Sequence, residues 1–287
     1  MKILVVGQSG QVASELRALS NEQTQITTLG RSDADLTDPT ACAAAIGAHK
    51  PDAVINAAAY TAVDRAEEEE ALAMQINADA PAAMAQACVA RAIPFVTIST
   101  DYVFSGVGQV PWQPADRTGP IGAYGRTKLA GEQAVALAGG AWAVLRTSWV
   151  VSAHGTNFVK TMLRLGEERT ALNVVEEQIG APTGAAEIAQ ACVTIALALK
   201  SDPSCAGIYH FAGAPDTSWA EFARTIFDKA GVECSVNGIP SSEYPTPAAR
   251  PLNSRMDCTK TTEVFGINRP DWSESLDDIL AELRRDT

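Results

Sequence analysis

Apolar runs and helical repeats alternate through the first half of the chain. The predicted strands are Ile3–Val6, Ile26–Leu29, Ala53–Asn56, Phe95–Ser99 and Ala143–Arg146. The intervening helical patterns cover about Gln11–Leu19, a stretch beginning at Asp38-Pro39, the region Ala66–Ala92, and Tyr124–Leu137. Since continuous apolar strands between helices are buried on both faces, this alternation predicts a parallel sheet covered by helices on each side.

The second half of the chain is less regular. Its predicted helices are Asn157–Glu168, Ala185–Leu199, Trp219–Lys229 and residues 273–285, and its predicted strands are Leu172–Val175 and Ile208–Phe211. Thr217 or Ser218 is the expected N-cap of the helix that begins at Trp219. A proline-rich loop is expected over Pro240–Pro251.

Composition and charge narrow the classes of partner. The 287 residues are 46% hydrophobic and 20% charged, which is typical of a globular chain. The formal net charge is −12, and such a surface repels phosphate backbones, so we expect no nucleic-acid partner. The first residues predict a strand rather than a signal peptide, and no apolar run has the length of a membrane span. We therefore expect a cytoplasmic protein with no membrane partner.

Cysteines and histidines are scattered along the chain. None of the six cysteines forms a C-x-x-C pair, and the three histidines show no metal-ligand spacing. We therefore expect reduced thiols and no metal site built from these residues. The acidic run Glu67–Glu70 is interpreted as a solvated helix face.

A glycine-rich turn joins the first strand to the first helix. Gly7 permits a sharp turn, Gly10 lets the backbone approach a pyrophosphate, and Ala13 is small enough for close packing of helix on strand. The helix N-terminus adds N–H groups and a partial positive charge. This G-x-x-G-x-x-A turn indicates a dinucleotide site in a Rossmann-type, doubly wound α/β sheet, although a plain strand–helix turn has the same pattern.

The end of the second predicted strand bears on the choice of cofactor. An acidic residue there would bind a ribose 2′-hydroxyl, but this chain has Arg31, which suits a 2′-phosphate. We therefore expect NADPH, with NADH still possible and an ordinary surface arginine as the alternative. Asp35 and Leu36 are expected beside the adenine. Small residues such as Ala58, before Thr61, leave room for the cofactor at the end of the third strand.

Candidate chemistry lies after the fourth strand and at the start of the following helix. Tyr124 and Lys128 are one helical turn apart and share a face. A phenol has a pKa of about 10, and a neighbouring ammonium lowers that pKa toward the range useful for proton transfer. Thr100 supplies a hydroxyl for the carbonyl being reduced. The set predicts an oxidoreductase with Tyr124 as proton donor, whereas a surface pair is the simpler alternative for Tyr124 and Lys128.

Several motifs together resemble the extended short-chain dehydrogenase/reductase family. They are G-Q-S-G-Q-V-A from Gly7, S-T-D-Y-V-F from Ser99, Y-G-R-T-K-L-A-G-E from Tyr124, R-T-S-W-V from Arg146, Q-I-G-A-P-T-G from Gln178 and Y-P-T-P-A-A-R-P-L-N-S-R-M-D from Tyr244. These motifs span nearly the whole chain, and the last two are the more specific. The resemblance implies a dinucleotide-binding domain of residues 1–148, joined by about 180–213. A smaller, mainly C-terminal α/β substrate-binding part would comprise 149–179 and 214–287.

Within that family, the resemblance is to reductases of nucleotide sugars. It implies that NADPH reduces the C4 ketone of dTDP-4-dehydro-β-L-rhamnose to dTDP-L-rhamnose, with Tyr124 as proton donor. The implied cofactor contacts are Gly10, Gln11, Val12, Asp35, Leu36, Ala59, Tyr60, Thr61, Tyr124 and Lys128. The implied substrate contacts are Thr100, Asp101, Trp149 and Asn157. Tyr60 stands where relatives often have histidine.

Other side chains are candidates for recognising the rest of a sugar nucleotide. Arg250 lies beside proline and suits a phosphate, and Asn253 can hydrogen-bond a base or a sugar. Trp149 can stack on an apolar sugar face. An ion pair for Arg250 and a core position for Trp149 are equally open.

Three glutamates resemble acidic positions at which some relatives bind Mg²⁺ at a dimer contact. They are Glu15, Glu187 and Glu282. Carboxylates do suit this cation, but single glutamates on three helices are more often solvated. Mg²⁺ and a homodimer are therefore hypotheses of the resemblance.

Two other functions stay open. A sugar-nucleotide dehydratase or epimerase of this fold retains NAD⁺, but a dehydratase typically has Asp-Glu where this chain has Asp101 followed by Tyr102. A non-catalytic regulatory subunit, like the β subunit of methionine adenosyltransferase, keeps the fold to bind a partner. The intact set of Thr100, Tyr124 and Lys128 favours catalysis.

Overall fold

The computed structural model describes residues 1–285. Its strands are β1 (Lys2–Val6), β2 (Gln25–Leu29), β3 (Ala53–Asn56), β4 (Phe95–Thr100), β5 (Trp142–Thr147), β6 (Val150–Val151), β7 (Ala171–Val175), β8 (Ile179–Gly180), β9 (Thr183–Gly184), β10 (Gly207–His210), β11 (Thr217–Ser218) and β12 (Ser235–Ile239). Its α-helices are α1 (Gln11–Ala18), α2 (Pro39–His49), α3 (Glu70–Met74), α4 (Ala80–Val89), α5 (Ala123–Ala138), α6 (Phe158–Glu168), α7 (Ala185–Ser201), α8 (Trp219–Ala230), α9 (Thr259–Phe265) and α10 (Trp272–Arg285).

A six-stranded parallel sheet forms the centre of the fold. Its order is β10-β5-β4-β3-β1-β2, and each neighbouring pair is parallel. The predicted doubly wound α/β sheet is therefore confirmed. Successive residues of β1 point to opposite faces, so Ile3 and Val5 join the core with α1 and α7, while Leu4 and Val6 join the core with α2, α4 and α5.

A second apolar core lies outside the sheet. It is built from α6, β7, α8 and α10, with Phe222, Ile226 and Leu276 fully buried at its centre. β7 pairs with β12 in parallel and β8 pairs with β11 in antiparallel register. The division of the chain near residue 148 stays a prediction, although α7 and β10 belong to the central sheet and its core.

Local signals placed several helix boundaries correctly. Asp38 accepts a hydrogen bond from the Ala41 amide at 3.0 Å and caps α2. Ser218, rather than Thr217, caps α8 by accepting from the Glu221 amide at 3.1 Å. These side chains satisfy amides that have no partner within their helix.

The helical stretch predicted over roughly Ala66–Ala92 is helical for most of its length, but it is not one regular α-helix. The segment consists of a 3₁₀ turn at Arg65–Glu67, α3, a π-helical turn at Gln75–Asp79, and α4. Asn77 explains the interruption, because its buried side chain bonds the amide and carbonyl of Tyr60 at 2.8 and 3.1 Å and the Thr127 hydroxyl at 3.1 Å. A π turn of this kind is frequent beside functional sites.

The acidic run of residues 67–70 is partly solvated, as predicted, but it also makes specific contacts. Glu67 accepts a hydrogen bond from the Ala123 amide at 2.8 Å and so caps α5 from another element. Glu70 makes a bidentate pair with Arg126, with both distances 2.8 Å. The sequence did not reveal these contacts because the partners lie more than fifty residues away in the chain.

The cysteines agree with the expected reduced thiols. All six are unpaired, and four of them are buried. None of the helices within residues 1–285 combines the length and the apolar composition that a membrane crossing requires.

Candidate active site

A cleft of about 1040 Å³ opens at the carboxyl ends of the parallel strands. The order β2-β1-β3 puts a switch point between β1 and β3, which is where open α/β sheets bind their ligands. The predicted site residues that line the cleft are Gly7, Gly10, Gln11, Val12, Arg31, Asp35, Leu36, Ala58, Ala59, Tyr60, Thr61, Thr100, Asp101, Tyr124, Lys128 and Trp149. The fold therefore brings residues from six separate segments to one surface.

The glycine turn after β1 has the geometry that a pyrophosphate needs. Gly7 has φ +125°, a conformation that side chains rarely adopt, and its amide donates to the Leu29 carbonyl at 3.0 Å. A Cβ atom at Gly10 would meet no heavy atom within 4 Å, so the turn is open there. The helix bonds of α1 begin with the Ser14 amide, which leaves the preceding amides at the cleft. The turn therefore fits a dinucleotide.

Arg31 stands at the rim of the cleft just after β2. Its side chain is 81% exposed, and its Nε donates to the Asp35 carboxylate at 3.0 Å. The pKa of Asp35 is lowered to about 2, mainly by the Thr37 amide and then by Arg31. Asp35 therefore stays ionised and holds the guanidinium at the position expected for a 2′-phosphate.

Tyr60 is held by neighbours that the sequence did not reveal. Its hydroxyl donates to Glu69 at 2.5 Å, and its amide donates to Asn77 at 2.8 Å. The hydrogen bond to Glu69 raises the pKa of the Tyr60 phenol. These contacts fix the backbone of the adjacent Ala59 and Thr61 at the end of β3.

Tyr124 and Thr100 meet where α5 begins beside the end of β4. The two side chains share a hydrogen bond, and the Tyr124 ring lies edge-on to Tyr102 with centroids 5.5 Å apart. Gly125 permits this approach, since a Cβ atom there would fall 2.2 Å from the Tyr102 carbonyl oxygen. The first turn of α5 is therefore pressed against the strand end that carries Thr100.

The pKa of Tyr124 departs from the expected direction. Burial raises it, the charge of Asp101 raises it further, and the hydrogen bond with Thr100 acts in the opposite sense. The predicted lowering by Lys128 is not found, and the Lys128 ammonium instead donates to the Ile98 carbonyl at 2.7 Å. The Tyr124 hydroxyl is therefore protonated at neutral pH, as the donor in a ketone reduction must be.

Lys128 is buried beneath the floor of the cleft. Burial lowers the pKa of its ammonium to about 8, against the opposing field of Glu132. The group therefore carries its charge at neutral pH and titrates within the physiological range.

Asp101 presents an unsatisfied carboxylate oxygen. Its Oδ1 accepts from the Thr100 hydroxyl at 3.1 Å, whereas its buried Oδ2 has no hydrogen-bond partner within the described chain. Burial raises the pKa of Asp101 to about 6, against the influence of Ser254 and Thr100. A buried oxygen of this kind requires a donor, and a ligand hydroxyl in the cleft would supply one.

Trp149 closes the cleft together with a residue that the sequence analysis missed. Trp149 has φ +50°, which is uncommon for a non-glycine residue, and its ring stacks on Trp219 with centroids 3.6 Å apart. Both side chains line the cleft. Trp219 follows the N-cap of α8, and its position in an amphipathic helix gave no sign of this role.

Three predicted substrate residues, Asn157, Asn253 and Arg250, do not line the cleft. Asn157 caps α6 and donates to the Gln11 side chain at 3.0 Å and the Ser152 carbonyl at 2.7 Å. Asn253 is buried and donates to the Val110 carbonyl at 2.9 Å. Their amides serve internal hydrogen bonds instead, which a sequence motif does not distinguish from ligand contacts.

Arg250 pairs with Asp64 in this structure. Nη2 lies 2.8 Å from the carboxylate, and the Ala248 amide donates to the same group at 3.1 Å. Nη1 is buried without a hydrogen-bond partner in residues 1–285. The ion-pair interpretation of Arg250 is therefore the one the geometry bears out.

The three glutamates of the magnesium hypothesis converge but do not fit the ion. Glu15 and Glu282 each lie 3.6 Å from the His154 Nε2 atom, and Glu187 accepts from the Ser275 hydroxyl at 2.5 Å. No group of three or more metal-binding side chains is arranged around a metal position in the described chain.

The chain matches a family model over nearly all of its length. The model is described as the RmlD substrate binding domain, and it covers residues 1–285. The chain is 45% identical to a dTDP-4-dehydrorhamnose reductase of Sinorhizobium fredii, with 96% of this chain and 95% of the relative covered. It is 40% identical to the Salmonella typhimurium enzyme of the same name, with 99% and 98% covered.

A solved structure has the same fold. The dTDP-4-dehydrorhamnose reductase of Bacillus anthracis, determined in complex with NADP, is 34% identical and superposes with a TM-score of 0.90 over 98% of this chain and 99% of that one. The chain therefore belongs to the family of the RmlD substrate binding domain.

Proposed function

We propose that this protein is an NADPH-dependent reductase of dTDP-4-dehydro-β-L-rhamnose that forms dTDP-L-rhamnose, with Tyr124 as the proton donor. The contact between Tyr124 and Thr100 at the open end of the parallel sheet carries the proposal, because it offers a protonated hydroxyl beside a nucleotide-sized cleft. The family membership and the names of the relatives support the same reaction.

The glycine turn and Arg31 would hold the cofactor. The pyrophosphate would lie against the N-terminus of α1, and the 2′-phosphate would bind the exposed guanidinium of Arg31. NADP in the Bacillus anthracis relative supports this choice over NADH. When bound, NADPH supplies the hydride that reduces the ketone.

The chain's own groups would handle the proton and the oxygen. Tyr124 gives its phenolic proton to the oxygen of the former ketone, which becomes a hydroxyl. Thr100 holds that oxygen and the phenol in line through its hydroxyl. Lys128 lines the cleft, and its ammonium would donate a hydrogen bond to a ribose hydroxyl of the cofactor.

The sugar would lie between Asp101 and the tryptophan pair. The unpartnered Oδ2 of Asp101 accepts a hydrogen bond from a sugar hydroxyl, and the indoles of Trp149 and Trp219 cover an apolar sugar face. Arg250 can bind a phosphate only after it releases the carboxylate of Asp64. Its role in phosphate binding therefore depends on movement of its loop. A homodimer stays a hypothesis of the resemblance.

One assay separates this function from the two alternatives. NADPH oxidation is followed with the dTDP-4-keto-6-deoxysugar made by the preceding pathway enzymes. Net oxidation with dTDP-L-rhamnose as product supports the reductase. Tightly bound NAD⁺ without net oxidation supports a dehydratase or epimerase, and cofactor binding without any conversion supports a regulatory subunit.

A further inference from the structure

A buried ion pair lies one helical turn beyond Lys128. Glu132 on α5 and Arg146 on β5 face each other with Nη2–Oε2 at 2.6 Å and Nε–Oε1 at 2.9 Å. Both side chains are 2% exposed. Removing two charges from water costs several kcal/mol for each ion, so a pair at this depth persists only with good geometry and further hydrogen bonds.

The further hydrogen bonds connect the pair to the strand that carries Thr100. Ser99 donates to Glu132 at 2.5 Å, and Ser99 lies opposite Arg146 in the register of β4 and β5. On the other side, the His210 Nε2 atom lies 3.4 Å from Arg146 Nη1. Burial lowers the pKa of His210 to about 3, so its ring is neutral and adds no charge to the cluster.

α5 therefore contacts the end of β4 at three successive turns. The contacts are Tyr124 with Thr100, Lys128 with the Ile98 carbonyl, and Glu132 with Ser99. Residues four apart share one helix face, and the three strand residues are consecutive. Glu132 thus extends the pattern of Tyr124 and Lys128 by one turn, at a position outside the cleft lining.

We propose that Glu132 is a positioning residue of the site, which fixes α5 on the end of β4 and places a carboxylate one helical turn from the Lys128 ammonium. Glu132 is the charged group whose field reaches Lys128 and opposes the effect of burial. The other titratable groups on the surrounding elements are Tyr124 on α5, Asp101 after β4 and Arg146 on β5. Arg146 pairs with Glu132. Because Arg146 is itself a cation, it cannot stabilise the charge of Lys128.

The sign of the effect follows from the charges. An ammonium is present below its pKa and is lost as the pH rises through it. Without the Glu132 carboxylate, Lys128 keeps the cost of burial and gains an unpaired guanidinium nearby, so its pKa falls further below about 8. The alkaline loss of activity then begins at lower pH.

The test compares Glu132→Gln with Val135→Ala over the pH range of the reaction. Val135 is buried on the same helix, so its truncation weakens packing without changing any charge. For Glu132→Gln, the alkaline limb of kcat/KM should move down by about one pH unit, which is about a tenfold loss near pH 9 and less than about twofold near pH 6.5. The limb of Val135→Ala should coincide with that of the wild type.

A double variant guards against misfolding of the single one. Glu132→Gln combined with Arg146→Met removes both charges, a replacement that buried pairs often tolerate. It should shift the limb in the same direction by a smaller amount. A wild-type limb in both Glu132 variants overturns the proposal, and so does an equal shift in Val135→Ala.

The inference rests on the proposed reduction for its activity readout. The dissociation constant of NADPH, measured against pH by nucleotide fluorescence, provides a readout that needs no turnover. As the pH rises, NADPH binding should begin to weaken at a lower pH in the Glu132 variants than in the wild type. A wild-type protein that binds NADPH but converts no substrate contradicts the proposed function alone, whereas coincident binding curves contradict the role of Glu132.

Discussion

The rings of Trp149 and Trp219 stack face to face, with centroids 3.6 Å and planes 14° apart. Trp149 follows β5 of the central sheet, and Trp219 begins α8 of the second core. Gly180 lies close beneath this pair, since a Cβ atom there would come within 2.9 Å of the Trp149 ring. The stack therefore connects the two cores at the mouth of the cleft.

Replacement of Trp219 is expected to weaken the binding of the sugar nucleotide selectively. Trp219→Ala should raise the KM for that substrate about two- to tenfold, because an aromatic contact contributes about 0.5–1.5 kcal/mol. The KM for NADPH should change less than about twofold. Intrinsic fluorescence during titration with dTDP should change in the wild type and much less in Trp219→Phe.

Trp142→Phe is the matched control, because Trp142 packs at the core beside β4, away from the cleft lining. Its fluorescence response to dTDP should match the wild-type response. An unaltered response in Trp219→Phe would show that the stack is a packing contact alone.

Removal of the phenolic hydroxyl is expected to abolish proton transfer. Tyr124→Phe should lower kcat by about 10²- to 10⁴-fold, the usual contribution of a positioned acid. NADPH should still bind, as measured by fluorescence titration. Tyr102→Phe is the control, since its ring touches Tyr124 but its hydroxyl bonds Arg250. Activity of Tyr124→Phe near that of the wild type would contradict the assignment of the donor.

Arg31 is expected to determine the preference for NADPH. Arg31→Ala should raise the KM for NADPH about 10- to 100-fold, which corresponds to the loss of a charge-assisted contact of about 1.5–3 kcal/mol. The KM for NADH should stay nearly constant, because NADH lacks the 2′-phosphate. Arg164→Ala removes a comparable exposed pair with Glu168 and should affect neither cofactor. Parallel losses for both cofactors would refute the role of Arg31.

The wild-type enzyme is expected to lose activity in mildly alkaline solution. The pKa of Lys128 is lowered to about 8 by burial, so the ammonium is charged below that pH and neutral above it. Loss of the charge weakens the contact of Lys128 with the cofactor, and kcat/KM should fall as the pH rises past about 8. A pH profile of kcat/KM reports on the free enzyme and measures this limb directly. A profile that stays flat to about pH 10 would exclude the assignment.

The sequence predicted the sheet and the cofactor turn because both depend on local patterns. Apolar runs such as Phe95–Ser99 have the composition of buried strands, and Gly7 marks the turn that follows one. The carboxyl ends of parallel strands meet at one edge, so residues that follow separate strands, such as Thr100 and Tyr60, are expected to lie close together. The parallel arrangement of the strands therefore determines which residues, distant along the chain, lie close together in the fold.

The missed features depend on contacts between distant segments. The sequence shows no link between Glu67 and the Ala123 amide, or between Glu132 and Arg146, since these pairs follow from how helices and strands pack. The π turn exists because Asn77 is engaged by Tyr60, which lies seventeen residues away. The direction of the Tyr124 pKa shift was missed for the same reason. Burial raises this pKa, and burial depends on how distant segments pack.

Gln11 has a consequence for the kinetic order of the reaction. It stands on the turn that would receive the pyrophosphate, and its side chain accepts from Asn157, the cap of a helix in the other core. A cofactor bound at the turn would therefore lie against a residue that is hydrogen-bonded to the start of α6. We expect compulsory-order addition, in which the coenzyme binds before the sugar nucleotide. The reduced sugar nucleotide then leaves before the oxidised coenzyme.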